Sequence, residues 1–155
     1  MNRHAYILAA IALPTAAWAA SPLQVTTQVM VEQRVAAHDG STSLKLVPPR
    51  RVVPGDRVTL VISYRNTGAS PLGNVVLANP VPRGMAYRAA APGTPAPEVS
   101  VDGRSYGALA ALKVRGTDGA SRAATAADVV AVRWRLANPV PAGAEGRLAF
   151  QAVLN

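Results

Sequence analysis

The chain of 155 residues contains no cysteine. Disulfides, thiolate nucleophiles and thiolate metal ligands are therefore excluded. So is a lipoprotein anchor, which needs an acylated cysteine. Aromatic residues make up 5% of the chain: one Phe, two Trp and four Tyr. A core must then be built mainly from Val and Leu, with a few aromatic anchors. Histidine is represented only by His4 and His38. His4 falls in the expected signal segment described next, and His38 alone makes neither a catalytic triad nor a zinc site. Acidic residues are scarce, eight against sixteen Lys and Arg, for a net charge of +8. No apolar run beyond the first twenty residues is long enough to span a bilayer.

Residues 1–19 read as a secretory signal. Asn2-Arg3-His4 supplies a short positive start, and residues 5–17 form an apolar run too short for a membrane span. Ala17-Trp18-Ala19 fits a small-x-small cleavage site. Cleavage after Ala19 is expected, which places the processed chain in the periplasm, outside the cell or at its surface. The expected organisation is a signal at 1–19, an N-terminal strand and turn at 20–42 and a β-sandwich domain at 43–155.

The block from Pro54 to Gly84 organises the rest. Pro54-Gly55-Asp56 is a turn signal. Val58, Leu60, Ile62 and Tyr64 then alternate with Thr59, Ser63 and Arg65, with Val61 as the apolar exception. Asn66-Thr67-Gly68 closes the strand with residues that tolerate positive φ. A further strand is expected at about 74–79. Met85 and Tyr87 share a face, with Arg88 opposite. Residues 23–35 form the first strand candidate, with Val25, Val29, Val31 and Val35 in step, interrupted by Thr27 and Gln33. That interruption suits an edge strand. Leu44 and Leu46 mark a short strand ended by Pro48-Pro49. Residues 89–97 read as a loop, 99–101 as a strand running into the Asp102-Gly103 turn, and 116–128 as a loop. Val130, Val132, Trp134 and Leu136 make an apolar face with Arg133 and Arg135 turned to solvent. Leu148, Phe150, Ala152 and Leu154 mark the last strand. Seven to nine short strands without a helical period predict an all-β, immunoglobulin-like sandwich.

Ala78-Asn-Pro-Val-Pro-Arg-Gly84 is echoed by Ala137-Asn-Pro-Val-Pro-Ala-Gly143. Prolines spaced by one residue belong at strand ends or edges. The pair is either a twin ligand-binding loop or one solution used at two strand-to-strand corners.

The run from Pro54 to Gly68, followed by residues 74–87, resembles the bacterial repeat module called domain of unknown function 11. That module carries Pro-Gly-Asp, an alternating strand, Asn-Thr-Gly, a second strand and Asp-x-Leu-Pro-x-Gly. This chain departs from it at Asn79, where the family commonly has Asp, and at Val81, where it commonly has Leu. The resemblance covers about residue 43 to the C-terminus. It implies an immunoglobulin-like fold in an exported or surface protein, and no catalytic residues.

The residues themselves put forward no catalytic, metal-binding or cofactor-binding set. His38 sits beside Asp39 in an expected turn. Asp39, Asp56, Asp102, Asp118 and Asp128 stand beside turns or strand starts, where Asp binds nearby backbone N–H groups. No Asp-x-Asp-x-Asp spacing suggests calcium. Glu98 with Glu32 or Glu145 is the one carboxylate pair that could serve a glycosidase, and nothing in the sequence joins them. Aromatic and basic residues do not interleave as on a nucleic-acid platform. The expected partner is another envelope protein. Anionic polysaccharide, lipopolysaccharide or lipid head groups are the alternative suggested by the positive charge. An enzyme or an assembly chaperone is the third reading.

Overall fold

The computed structural model describes residues 21–36, 42–49, 51–117 and 119–155. The expected signal segment, His38, Asp39 and Asp118 lie outside the described residues.

The alternation along residues 57–66 forms β3 (Arg57–Asn66), with Val58, Leu60 and Ile62 at 1–2% exposure. Its partners are β1 (Leu23–Ala36) on one side and β10 (Glu145–Leu154) on the other. β2 (Thr42–Val47) joins beyond β1, and β5 (Met85–Ala90) joins beyond β10. The five-stranded antiparallel sheet is ordered β2-β1-β3-β10-β5. A second sheet of three strands is ordered β4-β9-β6, from β4 (Val76–Pro80), β9 (Ala131–Arg135) and β6 (Glu98–Ser100). β7 (Lys113–Arg115) and β8 (Ser121–Ala123) form a small hairpin.

The two larger sheets pack face to face as a sandwich. Leu60, Ile62, Phe150 and Tyr87 from the first meet Leu77, Val99, Val132 and Trp134 from the second. Trp134 and Phe150 touch across the layers with ring centroids 6.4 Å apart. This is the all-β sandwich expected from the alternation. Its connectivity refines the immunoglobulin-like expectation. β3 pairs with β10 and β4 with β9, so the pairs nest, whereas immunoglobulin B–E and C–F pairs interleave.

The echoed heptapeptides sit at equivalent places. Each carries the chain from the three-stranded sheet to the five-stranded one, β4 to β5 and β9 to β10. Met85 N–H donates to Pro82 O and Ala144 N–H to Pro141 O, both at 3.1 Å. Gly84 and Gly143 follow with φ of 80° and 74°. The echo is therefore a repeated corner: proline ends the ladder and glycine supplies the left-handed residue.

Three expectations change. Residues 116–128, read as a loop, contain β8 and a 3-10 turn, Ala126–Asp128. Thr125 N–H and Oγ1 both donate to Asp128 Oδ2, at 2.8 and 2.7 Å, and fix that turn. Asn66, Thr67 and Gly68 are not at positive φ; Asn74 is the only described non-glycine residue that is, at 53°. Arg133 does not simply face solvent, as described below.

Candidate interaction surface

Position 66 fixes which way β3 presents its backbone. Asn66 N–H donates to Ala144 O, and Asn66 O accepts from Gly143 N–H, so this residue faces the β9–β10 corner. Backbone direction alternates along a strand. Arg65, Ser63, Val61 and Thr59 therefore face β1, opposite Gln24, Thr26, Gln28 and Met30. Thr67 N–H, in step with them, donates to Pro22 O at 2.7 Å. It follows that Leu23, Val25, Thr27 and Val29 turn their N–H and C=O groups away from β3.

β2 pairs with β1 only from Val31 to Ala36. Among the described residues no strand pairs with the outer side of residues 23–30. The expected edge is thus half correct: residues 31–36 are occupied by β2, and residues 23–30 are open. The open stretch, Leu-Gln-Val-Thr-Thr-Gln-Val-Met, has no charge, no proline and no bulge. Those are the features by which edges are ordinarily blunted. Val25 is 48% exposed on the row that faces the second sheet. Leu23 N–H makes one long contact, 3.4 Å, to Ser21 Oγ.

This edge is held at its start and at its middle. Thr27 Oγ1 donates to Asn79 Oδ1 at 2.8 Å, tying β1 to the edge strand of the opposite sheet. At the start of β1, Thr67 Oγ1 donates to Pro22 O at 2.9 Å. A Cβ on Gly68 would lie 2.9 Å from Pro22 Cβ, so this glycine is required by close approach. Asn66, fully buried, donates from Nδ2 to Ser70 O, Val140 O and Pro141 O at 2.8–3.1 Å, and its Oδ1 accepts from Gly68 N–H. The Asn-Thr-Gly signal acts through side-chain bonds and fit.

The outer face of the five-stranded sheet is polar around the start of β1. Gln24, Thr26, Ser63, Arg65, Glu145 and Arg147 line a shallow recess on it. Arg65 stands opposite Glu145, and Arg147 opposite Ser63.

Four carboxylates, Glu98, Asp102, Asp128 and Asp56, are held in local structure. Glu98 Oε2 accepts from Arg133 Nε at 2.8 Å and lies 3.5 Å from Arg135 Nε. Arg133 also stacks over Tyr106, 4.2 Å from the ring centroid. The bond from Arg133 holds the Glu98 carboxyl below its ordinary pKa. Asp102 accepts from Arg104 N–H, Ser105 N–H and Ser100 Oγ, and these bonds hold its carboxyl well below the usual range. Asp128 is held low chiefly by Arg122, at 2.7 Å. Asp56 caps its own turn by accepting from Val53 N–H at 2.8 Å. Burial pushes the Tyr87 hydroxyl up.

Glu98 belongs to the three-stranded sheet, while Glu32 and Glu145 belong to the five-stranded one. Glu32 Oε1 accepts from Gln151 Nε2 at 3.1 Å, on the sheet's outer face. The structure does not join these carboxylates. Among the described residues no three His, Asp or Glu side chains converge on a metal position, and no helix is long and apolar enough to cross a membrane. The Arg133–Glu98–Tyr106 cluster was missed from sequence because its members are distant in the chain and only the β6–β9 register brings them together.

Comparison with family models, with curated proteins and with solved structures found no match.

Proposed function

We propose that this chain is an exported, non-catalytic sandwich module of the cell envelope that acts by binding another protein. The resemblance to domain of unknown function 11 and the leader-like N-terminus supply the setting. The observation that carries the mode of action is the open edge of β1. Its backbone donors and acceptors are aligned, uncharged and fixed to both sheets, which suits pairing with an extended strand. Crosslinking of the tagged protein in cells, with identification of attached chains, tests this. A crosslinked partner chain that survives high salt, a different protein or a second copy of this one, is expected, and recovery of the uncrosslinked monomer alone under all conditions overturns the proposal.

A second reading, binding of anionic glycan or lipopolysaccharide, is favoured by Arg65 and Arg147 lining one recess without an ion pair closer than 4 Å among the described residues. It requires salt-sensitive retention on an acidic polysaccharide that falls when both arginines become Ala.

A further inference from the structure

The open edge of β1 is self-complementary, and we propose that it pairs with the same edge of a second copy across a two-fold axis at Thr26. This rests on the reading of the edge as the contact surface and names its occupant.

The outward backbone groups set the register. They belong to Leu23, Val25, Thr27 and Val29, and their midpoint is Thr26. In an antiparallel pair, hydrogen-bonded partners must both point into the joint, and facing side chains must lie on the same side of the sheet. An axis at Thr26 satisfies both conditions for the whole open stretch. Leu23 meets Val29 of the second copy, Val25 meets Thr27, and the reciprocal pairs follow. About eight backbone hydrogen bonds form. Leu23 exchanges its long Ser21 contact for one of them.

The side chains agree with that register. On the row facing the second sheet, Val25 is 48% exposed and would be covered by Thr27 of the second copy. On the outer row Thr26 faces its own equivalent and Gln24 faces Gln28, all exposed polar residues. Thr–Thr pairs are favourable across antiparallel strands. No like charges meet, because the stretch contains none. The limits of the joint are also set. Pro22 closes one end, and β2 occupies the side of β1 from Val31 onward at the other. A joint confined to residues 23–29 therefore fits between two obstacles. The contact is isologous and closes after two copies, so it does not propagate into a fibre. It also removes a long uncharged edge, which otherwise invites aggregation.

Sedimentation equilibrium of the purified protein tests the inference, with Thr26→Lys and Thr26→Glu variants. Thr26 is exposed and makes no side-chain hydrogen bond to the described residues, so the fold should tolerate both changes. The wild type is expected to be a dimer. Each variant should raise the dissociation constant about tenfold or more, because identical charges meet on the axis. An equimolar mixture of the two should dimerise again, since Lys then faces Glu. Thr26→Cys, the sole cysteine in the chain, should give a covalent dimer on mild oxidation. A monomeric wild type, or charge variants that dimerise like it, overturns the self-pairing. If the wild type is monomeric while Thr26→Lys loses a crosslink to a different protein in cells, self-pairing fails and the envelope-contact reading stands.

Discussion

Trp134 is 4% exposed, packs against Phe150 across the layers and donates its indole N–H to Pro95 O at 2.8 Å. Trp134→Ala should cost about 3–5 kcal/mol, measured by chemical denaturation. Its neighbours on β9 behave differently from each other. Arg135 is 60% exposed and distant from Glu98 by 3.5 Å, so Arg135→Ala should cost less than about 0.5 kcal/mol. Arg133 is 19% exposed, bonded to Glu98 and stacked on Tyr106. Its removal should cost about 1 kcal/mol or more. Equal losses for the two arginines would contradict this assignment. Asn66 is the other residue with a disproportionate role. Asn66→Asp replaces two N–H donors with an acceptor aimed at three carbonyl oxygens. A loss of about 2–4 kcal/mol is expected by the same measurement.

At the level of the element, β1 changes character along its length. Its first residues pair only with β3, Val31 pairs on both sides, and the rest pair only with β2. Adjacent proline substitutions should report this. Met30 directs its N–H into β3, so Met30→Pro removes a ladder bond inside the sheet and should unfold the protein or lower its stability sharply. Val29 directs its N–H outward, so Val29→Pro should keep the native circular dichroism spectrum while weakening contact at the edge. Retention of the spectrum by Met30→Pro with loss by Val29→Pro would reverse the assigned backbone direction. The repeated proline–glycine corners show the same economy: two different strand pairs use one local sequence where the chain changes sheet.

At the scale of the molecule, three carboxylates among the described residues link folding to pH. Glu98, Asp102 and Asp128 all have pKa values lowered by the folded state. A depressed carboxylate contributes stability that is present above its unfolded pKa and lost as pH falls through its folded one. The unfolded values are near 4, so stability should be level from about pH 7 to pH 5 and fall progressively below about pH 4. Denaturation midpoints across that range check it. Asp128→Asn should lower stability at pH 7 and flatten the acid limb. An unchanged limb in this variant would remove Asp128 from the account.

The strands around Val58–Leu60–Ile62, Val132–Trp134 and Leu148–Phe150 were determined by the sequence alone, because side chains alternate faces in any extended chain. Turns at Pro54-Gly55-Asp56 and Asp102-Gly103 followed from local chemistry: Asp56 bonds its own loop, and Gly103 takes φ of 73°. Tertiary structure decided what depends on distant neighbours. Alternation places Arg133 and Arg135 on the same face, yet only the approach of β6 buries one of them against Glu98. Asn-Thr-Gly read as a local turn, but its asparagine is spent on a corner more than seventy residues away. The first strand's pattern suggested an edge without saying how much of it was open. Where β2 begins to pair decides that, and with it which four residues turn their backbone groups to an unoccupied side.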